Sequence, residues 1–170
     1  MSRIHPSVHH DEQVKTILNG MQQTMGFIPN IFQLMSNSKA VLGGFLSLAK
    51  SLDAGKLSKK QREAIALCVA GYNRCAYCTK AHSVGAKKQH VEADEIAHNL
   101  KAASLDPKTD QLLKYVQAVL KTHGAVAEEA VKVMKKEGFD DEMLVEIHAN
   151  IGLNIFTNYF NNTFLPEIDF

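Results

Sequence analysis

Apolar positions recur at spacings of three and four along most of the chain, and no strand-like alternation lasts more than a few residues. That pattern predicts an all-α fold. Val14, Ile17, Leu18, Met21 and Met25 form the stripe of a first helix, expected from Ser7 to near Gly26. Phe27-Ile28-Pro29-Asn30 breaks it ahead of a short apolar turn of helix through Met35. Ser38 then has the chemistry of a cap for a helix carrying Leu42, Phe45, Leu46 and Ala49, which Gly55 stops.

Ser58 and Gln61 have capping-box spacing at the head of a helix that runs to about Tyr72, with Ile65, Cys68 and Val69 on its apolar side and Gly71 and Asn73 at the turn. The next helix carries Cys75-Ala76-Tyr77-Cys78 and continues to about Gln89; Val91 to Leu100 is a shorter one. Asp106-Pro107 starts another, since aspartate caps and proline suits the first helical position, and Leu112, Leu113, Val116, Val119 and Leu120 are its apolar residues. A further helix spans Ala125 to Glu137, stopped by Gly138, and the last runs from Asp141 to about Phe160. The stretch from Ile151 to Phe164 is too apolar for a solvated face and is expected both in the core and at a subunit interface.

Composition narrows the function classes. The 170 residues suit one domain, 1–170, and 45% hydrophobic with 22% charged residues is ordinary for a globular protein. A formal net charge of +1 gives no footprint for nucleic acid or an anionic membrane surface. There is no signal-peptide pattern and no run of about 20 apolar residues, so a cytoplasmic protein is expected. Three cysteines cannot all pair within one chain. In a reducing compartment a close pair is catalytic, redox-sensing or metal-binding before it is a permanent bridge.

Cys75, Cys78 and His82 stand at i, i+3 and i+7, on one helix face. The start of the helix close to Cys75 places both thiols where free backbone N–H groups and the macrodipole favour a thiolate. His82, one turn beyond Cys78, is positioned to accept that thiol's proton. A base of this kind wants an orienting carboxylate. The midpoint of 63 and 82 falls between Tyr72 and Asn73, at the expected turn, so an antiparallel hairpin sets Glu63 opposite His82, with the small Ala66 and Ala70 allowing close approach. Glu63 would hold His82 in one tautomer and stabilise its charged form. The helix dipole favours Cys75 as the low-pKa thiol and His82 favours Cys78, so the residues alone leave the order of roles open.

Glu63, eleven residues, Cys75, two residues, Cys78, three residues and His82 together resemble the signature of alkyl hydroperoxidase D and its relatives in the carboxymuconolactone decarboxylase-like superfamily. Gly26-Phe27-Ile28-Pro29-Asn30, Asn154 to Phe160 and the Glu167-Ile168-Asp169-Phe170 ending resemble the peroxidase-related branch. The resemblance implies an all-α antioxidant enzyme, a homotrimer or a hexamer of trimers, that reduces organic hydroperoxides without a metal or other cofactor. It implies Cys78 as the peroxide-attacking thiol, Cys75 as the resolving thiol that closes a redox-active disulfide, and Glu63 with His82 as the proton relay. It also implies an external dithiol, dihydrolipoyl or thioredoxin-like, as reductant. Where the best-known hydroperoxidases carry a histidine between the cysteines this chain has Tyr77, which the resemblance therefore implies as a further catalytic residue beside the relay, a good hydrogen-bond donor and a poor base at neutral pH.

Other readings exist for these residues. Cys75, Cys78 and His82 would supply three zinc ligands, but no fourth follows at finger-like spacing. Glu63 on a solvated face would pair with Lys59 or Lys60. Cys68 reads as a core residue and His148 as a core-edge one, with His5, His9, His10, His90, His98 and His123 facing solvent. Besides the peroxidase, a general thiol-disulfide oxidoreductase and a redox sensor remain as functions.

Overall fold

The computed structural model describes residues 2–170, and they form α-helices with no strand among them. In chain order these are α1 (Glu12–Met25), α2 (Asn30–Met35), α3 (Lys39–Asp53), α4 (Lys59–Asn73) and α5 (Ala76–Lys88), then α6 (Ala93–Asn99), α7 (Pro107–Thr122), α8 (Glu128–Lys136) and α9 (Asp141–Phe164).

Caps explain most of the boundaries. Ser38, Asp106 and Asp140 each accept a backbone N–H three residues on, and Ser58 with Gln61 forms the complete capping box. The first helix begins at Glu12 rather than at Ser7, because the Asp11 carboxylate takes the Val14 N–H; Ser7 instead bonds within its own turn, to His9. The last helix continues to Phe164, one turn past Phe160, and ends at Leu165 in the left-handed conformation.

Helix α4 is the hub. Every residue from Ala64 to Ala70 is buried, so this helix has no solvated stripe in its middle, and it packs against α5, α7 and α9. One core lies between α4, α7, α8 and α9, around Ile65, Leu112, Val116, Phe139 and Ile147. A second gathers Val14, Leu18, Ile31, Met35 and Leu42 from α1–α3 around Cys75, Tyr77 and Cys78. The thiol pair therefore sits under the N-terminal helices, with Cys75 and Cys78 only 0% and 2% exposed.

The α4–α5 connection is a single residue pair in length. Arg74 takes the left-handed conformation, and Cys75 N–H reaches back to the Ala70 carbonyl. Gly71 is required here because a Cβ would collide with the Leu100 carbonyl beyond α6.

Candidate active site

Cys75 is the N-cap of α5, its Sγ accepting the Cys78 N–H at 3.2 Å, and its sulfur is joined to that of Cys78 in a disulfide. One turn later His82 points across the hairpin to α4, where its Nδ1 lies 2.9 Å from Glu63 Oε2. This is the juxtaposition expected from reflection through the turn. A carboxylate only accepts, so Nδ1 carries the donated proton and Nε2 is left as the ring's exchanging site. Both side chains are partly buried, at 30% and 25% exposure, which strengthens their coupling without sealing them from solvent. The two lysines one turn before Glu63 play no part in this pair.

The pair opens on a cavity of about 280 Å³ between α2, α3, α4, α5 and α9. Phe32, Phe45, Leu46 and Leu153 give it an apolar wall, while Arg62, Glu63, His82 and Asn154 supply polar groups. Arg62 is held by the Asp53 carboxylate at 2.9 Å and the Leu57 carbonyl.

Two expectations change. His82 does not take up the Cys78 sulfur; the polar partner of Cys78 Sγ is Asn161 Nδ2, at 3.3 Å, from α9. Tyr77 is not turned to the Glu63–His82 pair either. Its hydroxyl donates to Asp169 Oδ1 at 2.8 Å and accepts the Ile31 N–H at 3.4 Å, and its ring meets Phe170 edge-on. Burial, and then the Asp169 carboxylate, hold the Tyr77 phenol well above its ordinary range. Asp169 Oδ2 also accepts the Asn30 N–H at 2.6 Å. Tyr77 thus ties the C-terminal tail to the start of α2, which accounts for the Gly26–Asn30 and Glu167–Phe170 segments together.

Asn161 stands outside the residues expected from sequence, because the apolar residues of α9 dominate its pattern. The inward positions of its second half are Asn154, Thr157, Asn158 and Asn161, while Phe156 and Tyr159 face outward at 39% and 59% exposure. The signal was present: Asn150, Asn154, Asn158 and Asn161 are spaced by four, four and three, one helical stripe. Cys68 is the core residue expected, its thiol pushed up to about 12 by burial. His148 packs edge-on against Tyr115 at the core's rim, and His10 is half-buried against Ser36 rather than solvated.

The all-helical fold that carries this site is the fold of alkyl hydroperoxidase D-like proteins. The sequence model of the carboxymuconolactone decarboxylase family matches residues 40–121, from α3 through α7. An uncharacterized peroxidase-related protein from Silicibacter sp. TM1040 superposes with a TM-score of 0.87 at 20% identity, over 96% of this chain and 88% of the other. The alkylhydroperoxidase AhpD core protein from Ralstonia eutropha JMP134, also peroxidase-related and uncharacterized, gives 0.84 at 25% identity, over 94% and 87%. The debrominase Bmp8 gives 0.81 at 23% identity, over 99% and 93%. No curated protein matches the sequence. No helix is long and apolar enough to cross a membrane among the described residues.

Proposed function

We propose that the protein is a thiol-dependent peroxidase that reduces organic hydroperoxides. The observation that carries this is the Glu63–His82 pair, 2.9 Å apart and one turn from a Cys75–Cys78 disulfide already closed. In the reduced form the Cys78 thiolate attacks the terminal oxygen of ROOH. The O–O bond breaks, Cys78 becomes a sulfenic acid and the alkoxide leaves as ROH with a proton from His82. The Cys75 thiolate then attacks the Cys78 sulfur, breaking its S–O bond and forming the disulfide, and the hydroxide released becomes water on taking a proton from solvent. An external dithiol of dihydrolipoyl or thioredoxin-like type returns both electrons, in a cytoplasmic setting.

The apolar wall of Phe32, Phe45, Leu46 and Leu153 supports an organic hydroperoxide over hydrogen peroxide, since it offers an R group a place to leave water. The deep burial of both sulfurs supports a small oxidant and, of the two dithiol types, the slender dihydrolipoyl arm over a folded thioredoxin-like protein. The same wall favours a second reading, in which a halogenated aromatic ring takes the two electrons of the dithiol, leaving ArH and halide; Bmp8 has been seen with 2,3,4-tribromopyrrole.

Stopped-flow oxidation of the reduced protein by cumene hydroperoxide, t-butyl hydroperoxide and hydrogen peroxide tests the proposal, with a bromopyrrole arm alongside. Stoichiometric disulfide formation, faster with cumene hydroperoxide than with hydrogen peroxide, is expected. Thiols that outlast an excess of all three peroxides would sink the peroxidase reading.

A further inference from the structure

Among the described residues each sulfur of the disulfide has a single hydrogen-bond donor, and the two donors differ in kind. Cys75 Sγ has the Cys78 backbone N–H, which any residue at 78 except proline would provide. Cys78 Sγ has the Asn161 carboxamide, 83 residues away and 4% exposed, with 3.3 Å from Nδ2 to sulfur. The other end of that carboxamide, Oδ1, is buried with no partner. An orphan acceptor in a core is costly, so a residue that leaves one there has a use at its other end. Asparagine is also a poor choice on propensity for the interior of a helix. A leucine would fill the volume without an orphan.

We propose that Asn161 is a positioning residue for Cys78: its N–H, aimed at Sγ from α9, stabilises the thiolate of the reduced form and makes Cys78 the more acidic thiol of the pair. A hydrogen bond to an ionised sulfur is stronger than one to a neutral sulfur, so the contact tightens as the thiol loses its proton. Nothing else on α9 competes, because residues 150–164 include no Asp, Glu, Lys, Arg or His. The remaining titratable groups around Cys78 are Cys75 and His82 on its own helix, Glu63 on α4 acting through His82, and the Tyr77–Asp169 pair at the tail. Helices α1–α3 present apolar side chains, among them Val14, Ile31 and Leu42. The asparagine therefore answers the question that spacing left open, favouring Cys78 where the helix N-terminus alone favours Cys75.

The inference rests on the thiol-redox reading of the CxxC pair but not on peroxide as its oxidant. It is tested by ultraviolet titration of thiolate absorbance in the reduced, full-length Cys75→Ser protein. Serine keeps the N-cap, and Cys68 stays protonated because its own thiol lies at about 12, so the titrating sulfur is Cys78. Adding Asn161→Leu raises the Cys78 midpoint by about one pH unit, a thiolate fraction about tenfold lower at any pH well below both midpoints. Asn161→Asp, isosteric but without the N–H, raises it at least as far and serves if leucine disturbs the fold. Asn158→Leu, a buried neighbour on the same stripe that does not touch the sulfur, leaves the midpoint in place.

In the protein with both cysteines, at a pH above both Cys78 midpoints, Asn161→Leu makes the disulfide about tenfold harder to reduce in a dithiol equilibrium, about 30 mV more negative. A Cys78 midpoint that does not move in either folded Asn161 variant, or that moves equally in Asn158→Leu, overturns the inference. A protein inert to peroxides whose Cys78 midpoint still depends on Asn161 would overturn the peroxidase reading and leave this one standing.

Discussion

Gly85 and Glu63 meet across the α4–α5 hairpin so closely that a Cβ at position 85 would lie 2.5 Å from Glu63 Oε1. Glycine in the middle of a helix is destabilising by about 0.5–1 kcal/mol relative to alanine, so its place inside α5 needs a reason. The reason is on the facing helix. The Glu63 carboxylate occupies the space that a side chain would take, and from there it reaches His82 Nδ1, one turn back, at 2.9 Å. The helix thus gives up some intrinsic stability at the position where the carboxylate has to fit.

Gly85→Ala is accordingly expected to separate stability from activity. The thermal unfolding temperature stays level or rises, while the rate of peroxide-driven thiol oxidation falls by about 10- to 100-fold as the carboxylate is pushed off the imidazole. Glu63→Gln, which keeps the shape and loses the charge, falls by about 100-fold on the usual scale of proton-transfer catalysis. Stopped-flow oxidation and a melting curve on the same preparations check both. An alanine variant with parental oxidation kinetics would show that the fit at Gly85 is packing alone.

Tyr77→Phe distinguishes a relay from a latch. The hydroxyl bridges Asp169 and the Ile31 N–H, so its loss should cost about 1 kcal/mol and loosen the tail, read as faster amide exchange over residues 165–170, with peroxide kinetics within a few-fold of the parent. The phenol is held above its ordinary range, so the stability it contributes is complete below its unfolded value of about 10 and is lost as pH rises from there through the folded value. The phenylalanine variant should therefore lose less stability than the parent on going from pH about 9 to about 11. A fall of 100-fold or more in oxidation rate would return Tyr77 to the relay.

How much of this was legible depends on whether a feature is local. Helix type, the caps at Ser38, Ser58 and Asp106, and the antiparallel pairing of α4 with α5 are set by residues within a few positions of one another, and pattern reading reached them. Glu63 was reachable as well, because reflection through a short turn is a local operation carried one helix further. Asn161 and Asp169 were not. Their contacts with Cys78 and Tyr77 span 83 and 92 residues, and no periodicity encodes which helix returns to which. In α9 the obstacle is different: a stripe of asparagines is outweighed by the phenylalanines beside it, although polar residues at helical spacing in an apolar helix mark a buried polar seam as clearly as leucines mark a core.

Cys68 should be silent in every thiol assay of the folded protein. Burial alone pushes it up to about 12, so it is a neutral thiol at neutral pH, with only the distant Leu113 carbonyl, at 3.9 Å, beside it. Mass mapping after iodoacetamide treatment of the reduced protein is expected to find label on the CxxC pair and none on Cys68 until denaturant is added. The contribution this thiol makes to stability is present below its unfolded value of about 8.5 and is lost as pH rises through about 12. Cys68→Ala should then cost about 1 kcal/mol near neutrality and flatten the alkaline side of the stability curve. Rapid labelling of Cys68 under native conditions would contradict the burial.

The face between α3 and α9 sets up the last prediction. Val41, Leu48 and Phe156 are 38%, 44% and 39% exposed there, lining an apolar groove of about 330 Å³ with Gly44 and Gly152 at its floor. Nothing lies within 4 Å of where a Cβ would stand on either glycine, so close packing within the chain does not account for them. What they do is keep the groove open. Phe156 also joins a run of rings, 5.9 Å from Phe45 and 6.0 Å from Phe160, that continues inward to the wall of the cavity beside His82. A groove of this kind loses water most favourably against another apolar face, and each large side chain covered is worth about 1.5–3 kcal/mol, or about ten- to a hundredfold in association. Light scattering should therefore find a homo-oligomer at micromolar concentration, and Phe156→Lys or Leu48→Lys should shift it toward the monomer by at least about tenfold. If the parent chain is monomeric, or if both lysine variants assemble as the parent does, then some other surface carries the contact.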